Sequence, residues 1–192
     1  MVFSHAFAGA TLTRLLHKSS KLKLSEKQIN ILYFVGIFSA ILPDLDIALI
    51  FRNNTVEHRA LITHSALPYL FIAAVLWVVF KLRSKPFLQL LTLAFVINTV
   101  VSHLFLDMFA GGLVLFAPFS YQTVGFALNF PTDPVIWAKT YLTSKYMLME
   151  AFLTVLYLLT IKSYKNKVLT YFPLFIFVAS VVTFAIMTLI IL

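Results

Sequence analysis

Long apolar runs separated by short basic stretches are the feature that most constrains how this chain can fold. Of its 192 residues, 61% are hydrophobic and only 11% are charged, and the mean hydropathy is +0.95. A soluble domain cannot bury that much apolar surface, so the composition predicts an integral membrane protein. The pattern predicts an all-α, polytopic helical bundle with a short N-terminal helix and about five long apolar segments, at residues 29–42, 66–80, 87–110, 146–161 and 168–192.

The length and the arrangement of these runs indicate one domain. A chain of 192 residues suits a single domain, and no internal repeat or low-complexity linker divides it. We therefore predict one integral-membrane domain over residues 1–192. The polar motifs described below lie within residues 1–120, and residues 146–192 add two further spans.

The basic residues predict how the bundle sits in the membrane. Ten of the 15 lysines and arginines fall in residues 17–28, 81–85 and 162–167, whereas residues 52–59 and 111–145 hold four. The positive-inside rule then predicts a multi-pass protein of the cell (inner) membrane, with the first set of segments in the cytoplasm. The formal charge of +8 is explained by anchoring between apolar runs, so no nucleic-acid partner is expected.

His103 and Asp107 form the first candidate half of a metal site. They are four residues apart in an apolar run, so a helix places them on one face, one turn apart. An imidazole and a carboxylate so placed suit a divalent metal, although a buried His–Asp hydrogen bond is the simpler alternative. Ionisable residues inside a membrane span are costly and usually functional, which favours the metal. The chain has no cysteine, so ligands must be His, Asp or Glu.

Two further stretches carry the same kinds of ligand. Asp44 and Asp46 follow Pro43, which is expected to break the preceding helix; they fit either a turn motif or a pair of metal ligands. His58 and His64 are six residues apart, and a loop leading into a helix can direct both at one point. The alternatives are a surface His58 and a hydrogen-bonded core His64.

Arg59 and Glu150 are the other candidate site residues. Arg59 is either an interfacial anchor or a contact to a phosphate oxygen beside the ligands. Glu150 lies one turn into its predicted span and either complements that helix N-terminus or acts as a late ligand or general base. Asp133 is expected to cap the short helix that begins at Pro134.

The candidate ligands fall at a common depth. At 1.5 Å per residue, Asp44 lies about 22 Å from residue 29 along its helix, and His103 lies about 24 Å from Phe87. Both positions are in the outer half of a hydrocarbon layer about 30 Å thick. We therefore expect the site to face the extracytoplasmic side.

These motifs together resemble a known family. His5 with Gly9, LPDLD at residues 42–46, HR and THS at 58–65, SHLFLD with GG at 102–112 and PFS at 118–120 resemble the bacterial and archaeal membrane-bound metal-dependent hydrolases, the YdjM-like family. The resemblance covers roughly residues 1–120. The order of His and Asp is also similar, more distantly, to the zinc-dependent phospholipase C and P1 nuclease group, which are all-helical enzymes with clustered zinc ions.

The resemblance implies a ligand set and an activity. First-choice ligands are His5, Asp44, His64, His103 and Asp107, followed by Asp46 and His58; Asp46, Arg59 and Glu150 are the expected catalytic residues. One to three divalent ions are expected, with zinc as the expected metal. The implied function is hydrolysis, by metal-activated water, of a phosphoester in a lipid or lipid-linked substrate within the membrane. A divalent metal or proton transporter is the alternative function, and a structural membrane protein is a third hypothesis. The sequence leaves the oligomeric state open.

Overall fold

The computed structural model describes residues 3–46, 58–126, 134–161 and 165–191, and these fold into helices. Within them, the only β-type pairing is one isolated antiparallel bridge between Leu113 and Val124. The all-α class is therefore confirmed. The helices are α1 His5–Ser19, α2 Glu26–Ser39, α3 Ala66–Leu82, α4 Pro86–Asp107, α5 Pro134–Leu142, α6 Tyr146–Ile161 and α7 Lys167–Ile191.

The ends of α2 follow from local sequence signals. At its start, the Ser25 hydroxyl accepts a hydrogen bond from the backbone of Gln28, and the Gln28 side chain accepts one from the backbone of Ser25. This reciprocal capping box satisfies two backbone donors that a helix start leaves open. At its end, the proline at position 43 prevents continuation, and residues Leu42–Asp46 turn as a 3₁₀ helix instead. That turn contains Asp44 and Asp46.

Small residues let α1 and α2 pack closely. A Cβ atom added at Gly36 of α2 would overlap the side chain of Thr13 on α1, which is itself fully buried. Phe7 of α1 stacks on Tyr157 of α6 and on Phe177 of α7, with ring centroids 4.4 and 5.1 Å apart. The N-terminal helix is thus a central element of the bundle, which brings His5 into its interior.

The prediction of about five membrane spans is wrong. In the described part of the chain, two helices are long and apolar enough to cross a membrane, Pro86–Asp107 with 22 residues and Lys167–Ile186 with 20. About 20 residues are needed to cross about 30 Å of hydrocarbon. With 14, 17 and 16 residues, α2, α3 and α6 fall short. The length of an apolar run overestimates the length of the helix when a proline or a polar turn ends that helix early.

Helix α4 changes its winding along its length. Residues Pro86–Val96 are α-helical, Ile97–Leu104 form a π-helical segment, and Phe105–Asp107 return to α-helix. π-Helical segments are rare, and those that do occur are frequently found at functional sites. This segment contains the buried residues Ser102 and His103, so the altered winding coincides with the candidate ligands.

Candidate metal centre

Four side chains from three separate elements converge at one end of the bundle. Asp44 comes from the 3₁₀ turn after α2, His64 from the 3₁₀ turn Ile62–His64, and His103 and Asp107 from α4. Each offers one ligand atom, and these four atoms lie within 4.8 Å of one another. His64, His103 and Asp107 are buried, whereas the Asp44 side chain is 25% exposed. Three of the four side chains are therefore shielded from solvent, and Asp44 is partly open to it.

The separations between these atoms suit a shared cation. Nε2 of His64 lies 3.7 Å from Oδ1 of Asp44 and 3.8 Å from Oδ2 of Asp107. Nε2 of His103 lies 3.5 and 3.6 Å from the same two oxygens. Four ligands arranged tetrahedrally about 2.0–2.1 Å from an ion would be about 3.3–3.4 Å apart. These four His–Asp separations are thus only slightly wider than a zinc-type arrangement requires, and all four atoms lie within 4.8 Å of one another.

The orientation of His103 is fixed from behind. Its Nδ1 lies 2.7 Å from the carbonyl oxygen of Ala40, and because a carbonyl only accepts, Nδ1 must donate. Nε2 is then the unprotonated nitrogen of a neutral ring. Within the described residues it is buried without a hydrogen-bond partner. A ring held by a backbone carbonyl with its other nitrogen directed into a cluster of carboxylates is the usual arrangement of a histidine ligand.

His64 is oriented by a carboxylate instead. Its Nδ1 lies 3.3 Å from Oδ2 of Asp46, and the Thr63 hydroxyl donates a hydrogen bond to the same oxygen. Asp46 therefore faces the outer nitrogen of His64, while Nε2 faces the cluster. The arrangement matches the carboxylate–histidine pairs that orient metal-binding imidazoles. The structure places Asp46 as a support of His64 and outside the group of four ligand atoms.

His5 lies against the cluster on its inner side. Its Nδ1 is 2.9 Å from the carbonyl oxygen of Ser102 and therefore donates, and its Nε2 is 2.9 Å from Oδ1 of Asp107. In a neutral ring facing an ionised carboxylate this would bring two acceptors into contact, so a proton or a cation is needed between them. A proton shared by His5 and Asp107 or a bound cation can fill this place. The ring also stacks on His103, with centroids 4.1 Å apart.

Arg59 is held at the rim of the cluster. Its Nη1 donates to the carbonyl oxygen of Ala110, and its Nε lies 3.8 Å from Oδ2 of Asp107. A Cβ atom at Gly111 would overlap the guanidinium, so the glycine gives Arg59 room to lie along this turn. The side chain is 15% exposed. Arg59 thus brings a positive charge next to a carboxylate of the cluster.

Glu150 lies at a different place from the ligands. Its two carboxylate oxygens accept hydrogen bonds from the backbone N–H groups of Phe3 and Ser4, at 3.1 and 2.8 Å, and the Tyr141 hydroxyl donates a third. Glu150 is buried. It binds the residues just before α1, a contact that neither sequence interpretation of Glu150 expected. The contacts anchor the segment that leads into His5.

Two predicted residues lie wholly or partly outside the part of the chain that the structure describes. Asp133 lies outside the described residues, as does the side chain of His58, whose backbone begins the 3₁₀ turn His58–Ala60. The sequence interpretation missed Thr63 and the carbonyls of Ala40 and Ser102. Thr63 adjoins a candidate ligand and could have been suspected from that position. The two carbonyls have no signal in the sequence, because any residue type supplies one.

Comparison with known proteins gives one finding about the family. The family model described as YdjM inner membrane protein matches residues 1–188, nearly the whole chain. No curated protein matches the chain, and no solved structure does. The expected likeness to the zinc-dependent phospholipase C and P1 nuclease group is therefore not shown. The family description identifies a membrane protein and states no reaction.

Proposed function

Because the chain belongs to the YdjM inner membrane protein family, we propose that it is a membrane-embedded, metal-dependent hydrolase acting on a phosphoester of a lipid or lipid-linked substrate. The observation that carries the proposal is the group of four ligand atoms from Asp44, His64, His103 and Asp107, within 4.8 Å of one another. Two imidazoles and two carboxylates form a donor set that zinc accepts, and zinc is the ion we propose. When bound, such an ion supplies Lewis acidity and makes water a nucleophile near neutral pH.

The surroundings of the cluster support a lipid substrate. Leu45 and Ile62, which lie next to Asp44 and near His64 in the chain, are 53% and 51% exposed, and Phe116 is 48% exposed. Large apolar side chains around a polar opening favour a substrate with an apolar body. The partly exposed Asp44 is on the open side of the cluster. A substrate would therefore approach past Asp44 with its apolar portion against these side chains.

Arg59 is the proposed contact to the substrate phosphate. A guanidinium presents five N–H donors in a planar fork that matches phosphate oxygens. Its position at the rim, 3.8 Å from Oδ2 of Asp107, supports a role for Arg59 beside the reacting group. Asp46 is proposed to hold His64 in its orientation. Glu150 is proposed to anchor the chain before His5 and to have no direct part in hydrolysis.

The two candidate spans support an extracytoplasmic site. Both begin at basic segments, with Lys81, Arg83 and Lys85 before the first and Lys165 and Lys167 at the second. Basic residues next to a span favour the cytoplasmic side. We propose that both helices enter from the cytoplasm and that the chain between them returns to that side along α6, which runs from Glu150, bound to the backbone of Ser4, to Tyr157, bound to the carbonyl of Leu169. This puts the C-terminal end of α4, and with it the candidate metal site, on the extracytoplasmic side.

Transport of a divalent metal or a proton is the second candidate, and one observation favours it. Buried polar residues continue from the cluster along α4 and into α1: Ser102, Thr99, Asn98 and Thr13. The Asn98 amide donates to the Thr13 hydroxyl and to the carbonyl of Ala94. The hydroxyls and this amide bond to one another or to backbone carbonyls. We therefore favour a role in packing between helices over a transport path for these residues.

One experiment tests the proposed function and separates it from transport. Metal content and hydrolysis of a phosphoester lipid are measured on the same detergent-solubilised samples of wild type, Asp44→Ala, His103→Ala and Asp107→Ala. The expected result is bound metal and turnover in wild type and loss of both in all three variants. Equal metal content in all four samples would exclude the site. Metal uptake into proteoliposomes that depends on Asp107, without hydrolysis under any metal, would favour the transporter.

A further inference from the structure

A cavity with several charged residues in its wall lies at the opposite end of the bundle from the candidate metal site. Its volume is about 590 Å³, and it is formed by the later turns of α1, the start of α2 and the start of α7. His17, in its wall, is about 18 Å along α1 from His5. A volume of this size is within the range of small-molecule sites. None of the candidate metal ligands lines it.

The charges that line the cavity favour an anion. Arg14, Lys165 and Lys167 contribute three positive charges, and Glu26 contributes one negative charge. Burial lowers the pKa of His17, so this ring is neutral at pH 7 and serves as a hydrogen-bonding group. An excess of cations in a concave site attracts anions, and an arginine with lysines is the usual set for a phosphate.

Hydrogen bonds between the helices hold the cavity walls together. The Tyr33 hydroxyl of α2 lies 2.8 Å from Nδ1 of His17 on α1. The Asn166 side chain accepts from the backbone N–H of Leu169 at 3.0 Å, capping α7, and its amide donates to Asn30 on α2. Three helices are therefore tied around the cavity by polar contacts. A site with such fixed walls loses little conformational freedom when a ligand binds.

The surface beside the cavity is apolar. Phe34, one turn after Asn30 on α2, is 48% exposed and stacks on Phe172 of α7, with ring centroids 5.2 Å apart. Tyr171 and Phe175, also on α7, are 64% and 66% exposed. An anion bound in the cavity would have this apolar surface next to it. A headgroup with attached acyl chains fits both features, whereas a free inorganic anion uses only the first.

We propose that this cavity binds a phosphate-bearing anion, which in the membrane is the headgroup of an anionic phospholipid, with its acyl chains along the apolar surface of α2 and α7. The positive charges engage the phosphate, as basic pockets between membrane helices do with anionic headgroups. The site is distinct from the metal cluster and does not depend on the proposed hydrolase activity.

The test compares two pairs of exposed lysines. Lys165→Gln/Lys167→Gln removes two charges from the cavity, and Lys81→Gln/Lys85→Gln removes two charges from outside it. Delipidated full-length protein in detergent is titrated with phosphatidylglycerol, with phosphatidylcholine and with inorganic phosphate, and binding is measured by native mass spectrometry. Thermal unfolding of each variant checks that it is folded.

The expected result is preferential binding of phosphatidylglycerol, weakened at least about tenfold in the cavity variant, since one hydrogen bond to a charged group contributes about tenfold or more. The control variant should lose less than about threefold, because a screened surface charge contributes little. An equal loss in both variants would overturn the proposal, because general surface charge would then explain the binding. Saturable binding of inorganic phosphate as tight as that of phosphatidylglycerol would overturn the lipid assignment and identify a soluble phosphate as the ligand.

Discussion

Each candidate histidine ligand, His64 and His103, is oriented by a partner on its other ring nitrogen. His103 donates to the carbonyl of Ala40, and His64 lies 3.3 Å from Asp46. Such partners fix the tautomer and the direction of the ring, so that Nε2 is available to an ion. At the scale of residues, the proposed affinity for metal therefore rests on Asp46 as well as on the four ligands.

The role of Asp46 can be tested by Asp46→Asn, which keeps its shape and removes its charge. We expect metal affinity to fall by about 10–100-fold, the usual effect of losing a partner behind a ligand. Asp44→Asn, which alters a ligand directly, should cost more. Both affinities are measured by competition with a metal chelator. Equal losses in the two variants would indicate that Asp46 itself binds the metal.

Arg59 allows a second test at this scale. Arg59→Ala should keep the metal and lower hydrolysis about tenfold to a hundredfold, because a charge-assisted contact contributes roughly 1.5–3 kcal/mol. Arg59→Lys should recover only part of the rate, since an ammonium lacks the planar fork. Rates are measured with a phosphoester lipid in detergent, alongside metal content. Wild-type activity in Arg59→Ala would reduce Arg59 to an anchor at the membrane interface.

At the scale of elements, two departures from regular α-helix build the site. The 3₁₀ turn Leu42–Asp46 has about three residues per turn, so residues two apart point about 120° away from one another. Asp44 therefore faces the cluster while Asp46 faces the outer side of His64. The π-helical segment Ile97–Leu104 ends at the ligands of α4, where the carbonyl of Ser102 accepts from His5.

The close packing of α1 against α2 gives a prediction on stability. Gly36→Ala should destabilise the protein by about 1–3 kcal/mol, the usual cost of an overpacked interior, because its Cβ would overlap Thr13. Thr13 cannot easily move, since its hydroxyl bonds the carbonyl of Gly9 at 2.7 Å.

The measurement is thermal unfolding in detergent of Gly36→Ala, Thr13→Ala and the double variant. Removing the Thr13 hydroxyl and methyl should recover part of the loss caused by Gly36→Ala. Simple additivity of the two single effects would show that the two side chains do not compete for the same space.

At the scale of the whole molecule, the polar features separate to the two ends of the bundle. The candidate metal site lies at the C-terminal end of α4, and the basic cavity lies at the start of α2 and α7. The two candidate spans both begin at the basic end. If the basic end faces the cytoplasm, as proposed, the candidate metal site at the other end faces the extracytoplasmic side.

Orientation is testable because the chain has no cysteine of its own. Single cysteines are placed at Gln122, near the cluster end, and at Lys165, at the basic end; both positions are exposed. In intact cells, a membrane-impermeant thiol reagent should label Gln122→Cys and leave Lys165→Cys unlabelled. After the cells are permeabilised, both should react. The reverse pattern in intact cells would put the metal cluster in the cytoplasm.

Some properties of this protein could be read from the sequence because they depend on local composition. The apolar runs indicate helices and a membrane environment, and the absence of cysteine restricts the ligands to His, Asp and Glu. The spacing of His103 and Asp107 indicates one helix face, and the structure places both in the cluster. Hydropathy and helix periodicity act over a few residues, so they remain visible without the fold.

Other properties were decided only by the tertiary structure. The spacing of Asp44 and Asp46 did not distinguish them, and only the family resemblance ranked Asp44 first as a ligand; the sequence also left Glu150 between a helix-end role and a role as ligand or general base. The 3₁₀ turn points Asp44 towards the cluster and Asp46 towards the other side of His64. Glu150 binds the backbone of Phe3 and Ser4, about 150 residues away in the chain. The number of spans was wrong because a helix ends where its backbone is interrupted and not where hydropathy changes. Contacts between distant segments depend on how helices pack, and a pattern of neighbouring residues carries no record of that.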